Sequence, residues 1–222
     1  MRSIRFAVFS FLITTVALAS DVVRHPFQSS AARGSVQRIV IDIPAGEINV
    51  RNGASDTLTV SGHAHRDYQG AKERIWAQKI VDDTSVEIYV NGPEAIVRRR
   101  FGPNAGSFRA QKFTNVTMTI DVPQGVDVYF ETSFGEVDLE GVFGNVDVDL
   151  RAGEARFRTP RSTVRQLNAS CRVGEVRANL GDQIVTREGL FPGRTHFFNA
   201  AGKSNVNLHV TAGEIDVTLG MK

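Results

Sequence analysis

Between Gly135 and the C-terminus one short unit keeps returning: a glycine, a polar residue, then apolar and polar positions in alternation. Gly135, Gly153, Gly174, Gly193 and Gly213 recur at intervals of 18, 21, 19 and 20 residues, followed by "EVDLE", "EARFR", "EVRAN", "RTHFF" and "EIDVT". A second series runs half a period out of phase, as "VDVYFE", "NVDVDL", "TVRQLN", "QIVTRE" and "SNVNLH". Alternation with period two reads as half-buried strand, and self-similarity at about 20 residues reads as stacked repeats. Two strands per period predict an all-β, single-domain β-solenoid, akin to a parallel β-helix, with coils of roughly 20 residues. An antiparallel β-sandwich is the alternative, since regularly spaced short strands satisfy it too. The inward set on the solenoid reading is Val137, Leu139, Ala155, Phe157, Val176, Ala178, Thr195, Phe197, Ile215 and Val217.

Upstream, "RIVIDIPAGEINVRNG", "DTLTVSGHAH" and "TSVEIYVNG" also alternate and end at turn residues. The stretch "YQGAKERIWAQKIV" differs: Ala71, Ile75 and Gln78 share a helical face beside Trp76, which predicts one short helix near residues 69–78. Residues 92–112, with Arg98–Arg100 and a Gly-Pro-Asn-Ala-Gly-Ser run, read as an irregular surface loop. Residues 20–36 read as a flexible N-terminal segment, and 37–222 as the repeat domain.

The chain opens with Arg2 and Arg5 ahead of an apolar run from Phe6 to Leu18 and a small-residue exit at Ala17-Leu18-Ala19. This pattern predicts a secretory signal peptide over 1–19 and an exported protein of the periplasm, cell surface or extracellular space. With the leader removed, 24 basic residues balance 24 acidic ones, which argues against a nucleic-acid partner. A lone cysteine, Cys171, permits no intrachain disulfide, so the fold rests on its core, and Cys171 is expected to be buried in it.

The opening "IVIDIPAGEINVRNG", the "MTIDVPQGVDVYFETSFGEVDL" segment and the closing "GKSNVNLHVTAGEIDVTLG" resemble the putative-adhesin, β-strand-repeat domains of unknown function found in bacterial envelope proteins. The likeness runs from about Arg38 to Leu219. It implies a surface-associated β-repeat protein and carries over no catalytic residues.

In a stack that follows chain order, the outward columns are Glu136, Glu154, Glu175, Arg194, Glu214 and Asp138, Arg156, Arg177, His196, Asp216. Such columns suit a self-neutralising solvated face. They also allow a ligand track in which Arg156, Arg177, Arg158 and His196 engage acidic polysaccharide or other anionic envelope components, with Phe198 stacking on a sugar ring. Asp127, Asp147 and Asp149 could share Ca²⁺ on two consecutive coils, and with Arg151 they form the group a β-helical polysaccharide lyase would need. His63 and His65 fall on one strand face and could give two zinc ligands of the three or four required. Solvated strand residues account for both sets, so no metal, cofactor or catalytic residue is assigned. The expected function is that of a non-enzymatic, adhesin-like interaction or structural module of the cell envelope.

Overall fold

The computed structural model describes residues 21–103, 105, 114–189 and 193–220. The expected leader, 1–19, lies outside them, as do 104 and 106–112 of the expected loop. In chain order the elements are β1 Asp21–Ala32, β2 Arg38–Asp42, β3 Ala45–Asn52, β4 Thr57–Tyr68, α1 Gly70–Asp82, β5 Thr84–Asn91, β6 Glu94–Phe101 and β7 Asn115–Val122. There follow β8 Asp127–Glu140, β9 Val146–Thr159, β10 Val164–Asn179, β11 Ile184–Gly189, β12 Gly193–Phe198 and β13 Ser204–Leu219. The fold is all-β with one helix, and the strands join in a single mixed sheet.

The long strands explain the two repeat series. In β9, Val146, Val148 and Leu150 are buried, and then Ala155, Phe157 and Thr159. The buried parity switches from even to odd around Gly153, so the strand bends there and both halves feed one core. β8, β10 and β13 bend in the same way at Gly135, Gly174 and Gly213. Each long strand thus contributes to two arms: a first arm before the glycine and a second arm after it. At the N-terminal side the bend is a break, with β2 in the first arm and β3 in the second, separated by Pro44.

Neighbouring long strands are parallel and in register, glycine against glycine. Their spatial order is β8-β9-β13-β10, so the coils do not stack in chain order: β13 lies between β9 and β10. The chain from β10 reverses, and β11 and β12 return antiparallel along the outer edge of β10, one on each arm. "QIVTRE" therefore belongs to the second arm and "RTHFF" to the first, the reverse of the expected assignment. The N-terminal side is built alike, with β6 and β7 parallel to β2 and β3, and β5 and β4 antiparallel outside them. Return strands thus close both ends of the parallel stack.

The inward residues expected from the alternation are buried, apart from the half-buried Phe197. Three local expectations are corrected. The segment 20–36 is not a flexible tail: residues 21–32 form β1, paired along its length with β4. Its alternation is carried by Val23, His25, Phe27, Ser29 and Ala31, and the polar His25 and Ser29 interrupt the apolar pattern that would mark a strand. Residues 94–101 are strand rather than loop, with Ala95, Val97 and Arg99 on the inward parity. Arg99 donates to the Thr114 carbonyl at 2.5 Å and covers the Phe101 ring, which lets a guanidinium occupy a largely buried strand position. The helix runs on to Asp82 because its buried face is Ala77, Ile80 and Val81 rather than the face of Ala71 and Ile75. It is too short to cross a membrane, and no other helix among the described residues could do so.

Candidate functional site

Register fixes which outward side chains of the second arm are neighbours, at the roughly 4.8 Å strand spacing. The first row after the glycines reads Glu47, Glu136, Glu154, Glu214, Glu175. The next reads Asn49, Asp138, Arg156, Asp216, Arg177, and the third Arg51, Glu140, Arg158, Thr218, Asn179. Glu47 enters the row because "PAGEINV" carries the same Gly-Glu unit as the later repeats. Arg194 leaves it, because β12 belongs to the first arm.

Stacked carboxylates repel, and the arginines answer them. Arg156 bonds Glu154 at 2.5 Å and lies 3.5 Å from Glu136; Arg158 bonds Asp138 at 2.9 Å and Glu140 at 3.1 Å. Arg177 bonds Glu175 at 2.7 Å, and Arg51 bonds Asp121 at 2.6 Å on β7. Burial pulls the Arg156 pKa down, and Glu154, Glu136 and Asp138 together outweigh it and raise the pKa above its ordinary value.

This arrangement dismantles the expected anion track. Asp216 separates Arg156 from Arg177, because β13 lies between their strands. His196 and Phe198 sit on the first arm opposite Asn168 and Gln166, and the His196 Nδ1 is 2.8 Å from the Asn168 side-chain oxygen. Across the three rows, Glu47, Glu136, Glu154, Glu214, Glu175, Asp138, Asp216 and Glu140 face Arg51, Arg156, Arg158 and Arg177, so the face is acidic.

A polar groove of about 490 Å³ crosses this face between β4 and β8. Ser61, Thr117, Thr119 and Asn49 line it with small polar groups, and Glu47, Glu136, Asp138, Arg156 and His63 also border it. One carboxylate oxygen of Asp138 is buried without a hydrogen-bond partner, while the other accepts from Arg158. Glu47 has a long contact, 3.4 Å, with the Thr117 hydroxyl. A second hollow of about 210 Å³ shares Glu47 and Glu136 with the groove and is bordered by Phe134, which is 59% exposed. Groove and hollow adjoin at Glu47 and Glu136, in a strip of the face that ends on an aromatic ring.

The His63 and His65 rings stand 5.5 Å apart, centroid to centroid. Burial, and then the neighbouring His63, hold His65 below the ordinary imidazole range, while Glu47 and Asp67 pull it up and Arg24 pushes it down. Because protonation is disfavoured in the folded state, this residue's contribution is intact above the ordinary imidazole pKa and is lost as the pH falls through that range. Urea titrations at neutral and mildly acidic pH should show a smaller acid loss of stability for His65→Gln than for the wild type.

The two sets weighed as metal ligands can be placed in the fold. Among the described residues no group of three or more His, Cys, Asp or Glu side chains is placed to hold a metal ion. Asp127 closes a turn, accepting from the Asn145 amide at 2.6 Å, while Asp147 lies opposite Tyr129 and Asp149 opposite Glu131. Asp147, Asp149 and Arg151 share the outward face of β9, while Asp127 is engaged in its own turn. Cys171 is buried with its thiol directed to the Gly213 carbonyl at 3.2 Å, and burial pushes its pKa up.

No protein-family model and no curated protein matches the chain. Among solved structures, a putative cell adhesion protein from Clostridium sporogenes is similar at 12% identity and a TM-score of 0.43, covering 90% of this chain and 99% of that one. A putative adhesin from Bacteroides fragilis is similar at 10% identity and a TM-score of 0.26, covering 89% and 96%. A putative adhesin from Parabacteroides merdae is similar at 8% identity and a TM-score of 0.24, covering 63% of this chain and 58% of its own.

Proposed function

We propose that the protein is an exported, non-enzymatic β-repeat module of the bacterial cell envelope with an adhesin-like binding role, and that its bent, in-register strands form a two-armed variant of a β-solenoid. The observation that carries this reading is the outer face of the second arm. Five parallel strands present matching residues at a constant spacing, giving an extended polar surface with a groove at its β3 end. Extended surfaces of this kind are what stacked-repeat proteins use to hold ligands. The arginines and several of the carboxylates on the face are engaged with one another, as suits a recognition surface better than a general acid or base poised for proton transfer.

The test is fractionation of the producing cell with crosslinking of the intact envelope. The protein should be recovered in the envelope or medium with a mature N-terminus near Ser20 or Asp21, crosslinked to an envelope component. Recovery in the cytoplasm with Met1 intact would overturn the reading.

A further inference from the structure

The strip on the second arm combines three properties that constrain its occupant. Its charge is negative: Glu47, Glu136 and Asp138 border it, against Arg156, which bonds Glu154 and lies 3.5 Å from Glu136, and Arg158, which holds one oxygen of Asp138. Small hydroxyl and amide groups line it, as suits a partner rich in hydroxyls. The adjoining hollow ends on Phe134, an aromatic ring left 59% exposed beside two carboxylates. An inorganic cation would use the carboxylates but not the ring, and an anionic polysaccharide would be repelled.

We propose that this strip binds a glycan bearing free amino groups, with its ammonium groups held by Glu47, Glu136 and Asp138 and one sugar face laid on Phe134. The assignment rests on the adhesin-like reading above and names its ligand class. Glu47 supplies the most available carboxylate, since its one hydrogen bond is the long contact to the Thr117 hydroxyl, and Asp138 borders the groove beside it with one oxygen on Arg158. The groove volume of about 490 Å³ matches a short run of sugar units. An exposed ring suits a sugar because the axial C–H face of a pyranose packs on it while the hydroxyls point outward to polar partners.

Calorimetry at low ionic strength tests this with a glucosamine tetramer, the same tetramer fully N-acetylated, and an oligolysine of equal charge. The wild type should bind the free-amine tetramer at least about tenfold more tightly than the acetylated one, since charge-assisted bonds are lost on acetylation. Asp138→Asn combined with Glu136→Gln should weaken that binding by about tenfold or more, Phe134→Ala by about fivefold, and Glu131→Gln, exposed on the first arm, should leave it unchanged. Thermal melts of each variant separate lost binding from lost folding.

Equal affinity for the two tetramers, equal affinity in wild type and the Asp138/Glu136 variant, or no binding at all would overturn the proposal. Oligolysine bound as tightly and indifferent to Phe134→Ala would overturn it in favour of a basic peptide. If envelope crosslinking persists in the groove variants, the adhesin-like reading stands while this ligand assignment falls.

Discussion

A Gly153→Ala chain should be largely unfolded at room temperature, with a loss of more than about 4 kcal/mol, a size reserved for core and backbone catastrophes. Gly153 sits at φ +137°, a region that residues with a Cβ rarely enter, and that strain alone is worth about 1–3 kcal/mol. The second term is larger: a Cβ at 153 would overlap the carbonyl oxygen of Gly135 on the neighbouring strand. Gly135 stands in the same relation to Gly46, Gly213 to Gly153, and Gly174 to Gly213. Five glycines thus touch in series across the sheet, and β9 cannot yield without dislodging strands on both sides. Gly125→Ala is the control, because Gly125 also has positive φ, +75°, but nothing near its absent Cβ. It should cost about 1 kcal/mol, the conformational penalty alone. Urea unfolding of the two variants decides the matter: similar midpoints would show that the glycine contact contributes nothing.

Phe157→Ala should cost about 3–5 kcal/mol. Phe157 is only 2% exposed and lies in register between Leu139 on β8 and Val217 on β13, both fully buried. The parallel ladders on both sides hold the backbone in place, so little of the cavity can collapse. With Cys171 alone and no disulfide possible, no covalent link limits the loss. A thermal midpoint within a degree or two of wild type would show that the second arm does not bury this row.

The repeat unit was legible because glycine and alternation are imposed locally: each bend requires the former, and each half-strand with one buried face produces the latter. Spatial order was not legible. β9, β10 and β13 offer nearly the same Gly-Glu-apolar edge, so any of them can follow any other as far as the unit itself is concerned. That one ambiguity placed Arg156 beside Arg177 when Asp216 divides them. Reversal between β10 and β13 had a signal, since Arg194 departs from the Glu found after the other glycines. The groove was beyond reach for another reason. Glu47, His63, Thr117 and Glu136 lie far apart along the chain and meet only through the pairings of β3, β4, β7 and β8. β1 and β6 escaped detection because histidine, serine and arginine occupy inward positions that an apolar pattern would have marked.

The position of β13 has a consequence for how the molecule is made. Its sixteen residues, Ser204–Leu219, follow β9 and β10 in the chain, yet the strand they form is interior and joins β9 to β10. A chain emerging from its N-terminus completes β9 and β10 well before this strand exists. The two carry matching glycines, so they can pair directly in a register as regular as the native one, and that pairing must open before β13 can enter. Completion of the parallel stack is therefore tied to the arrival of β13, and the sheet stays unfinished between β9 and β10 until that strand has been made.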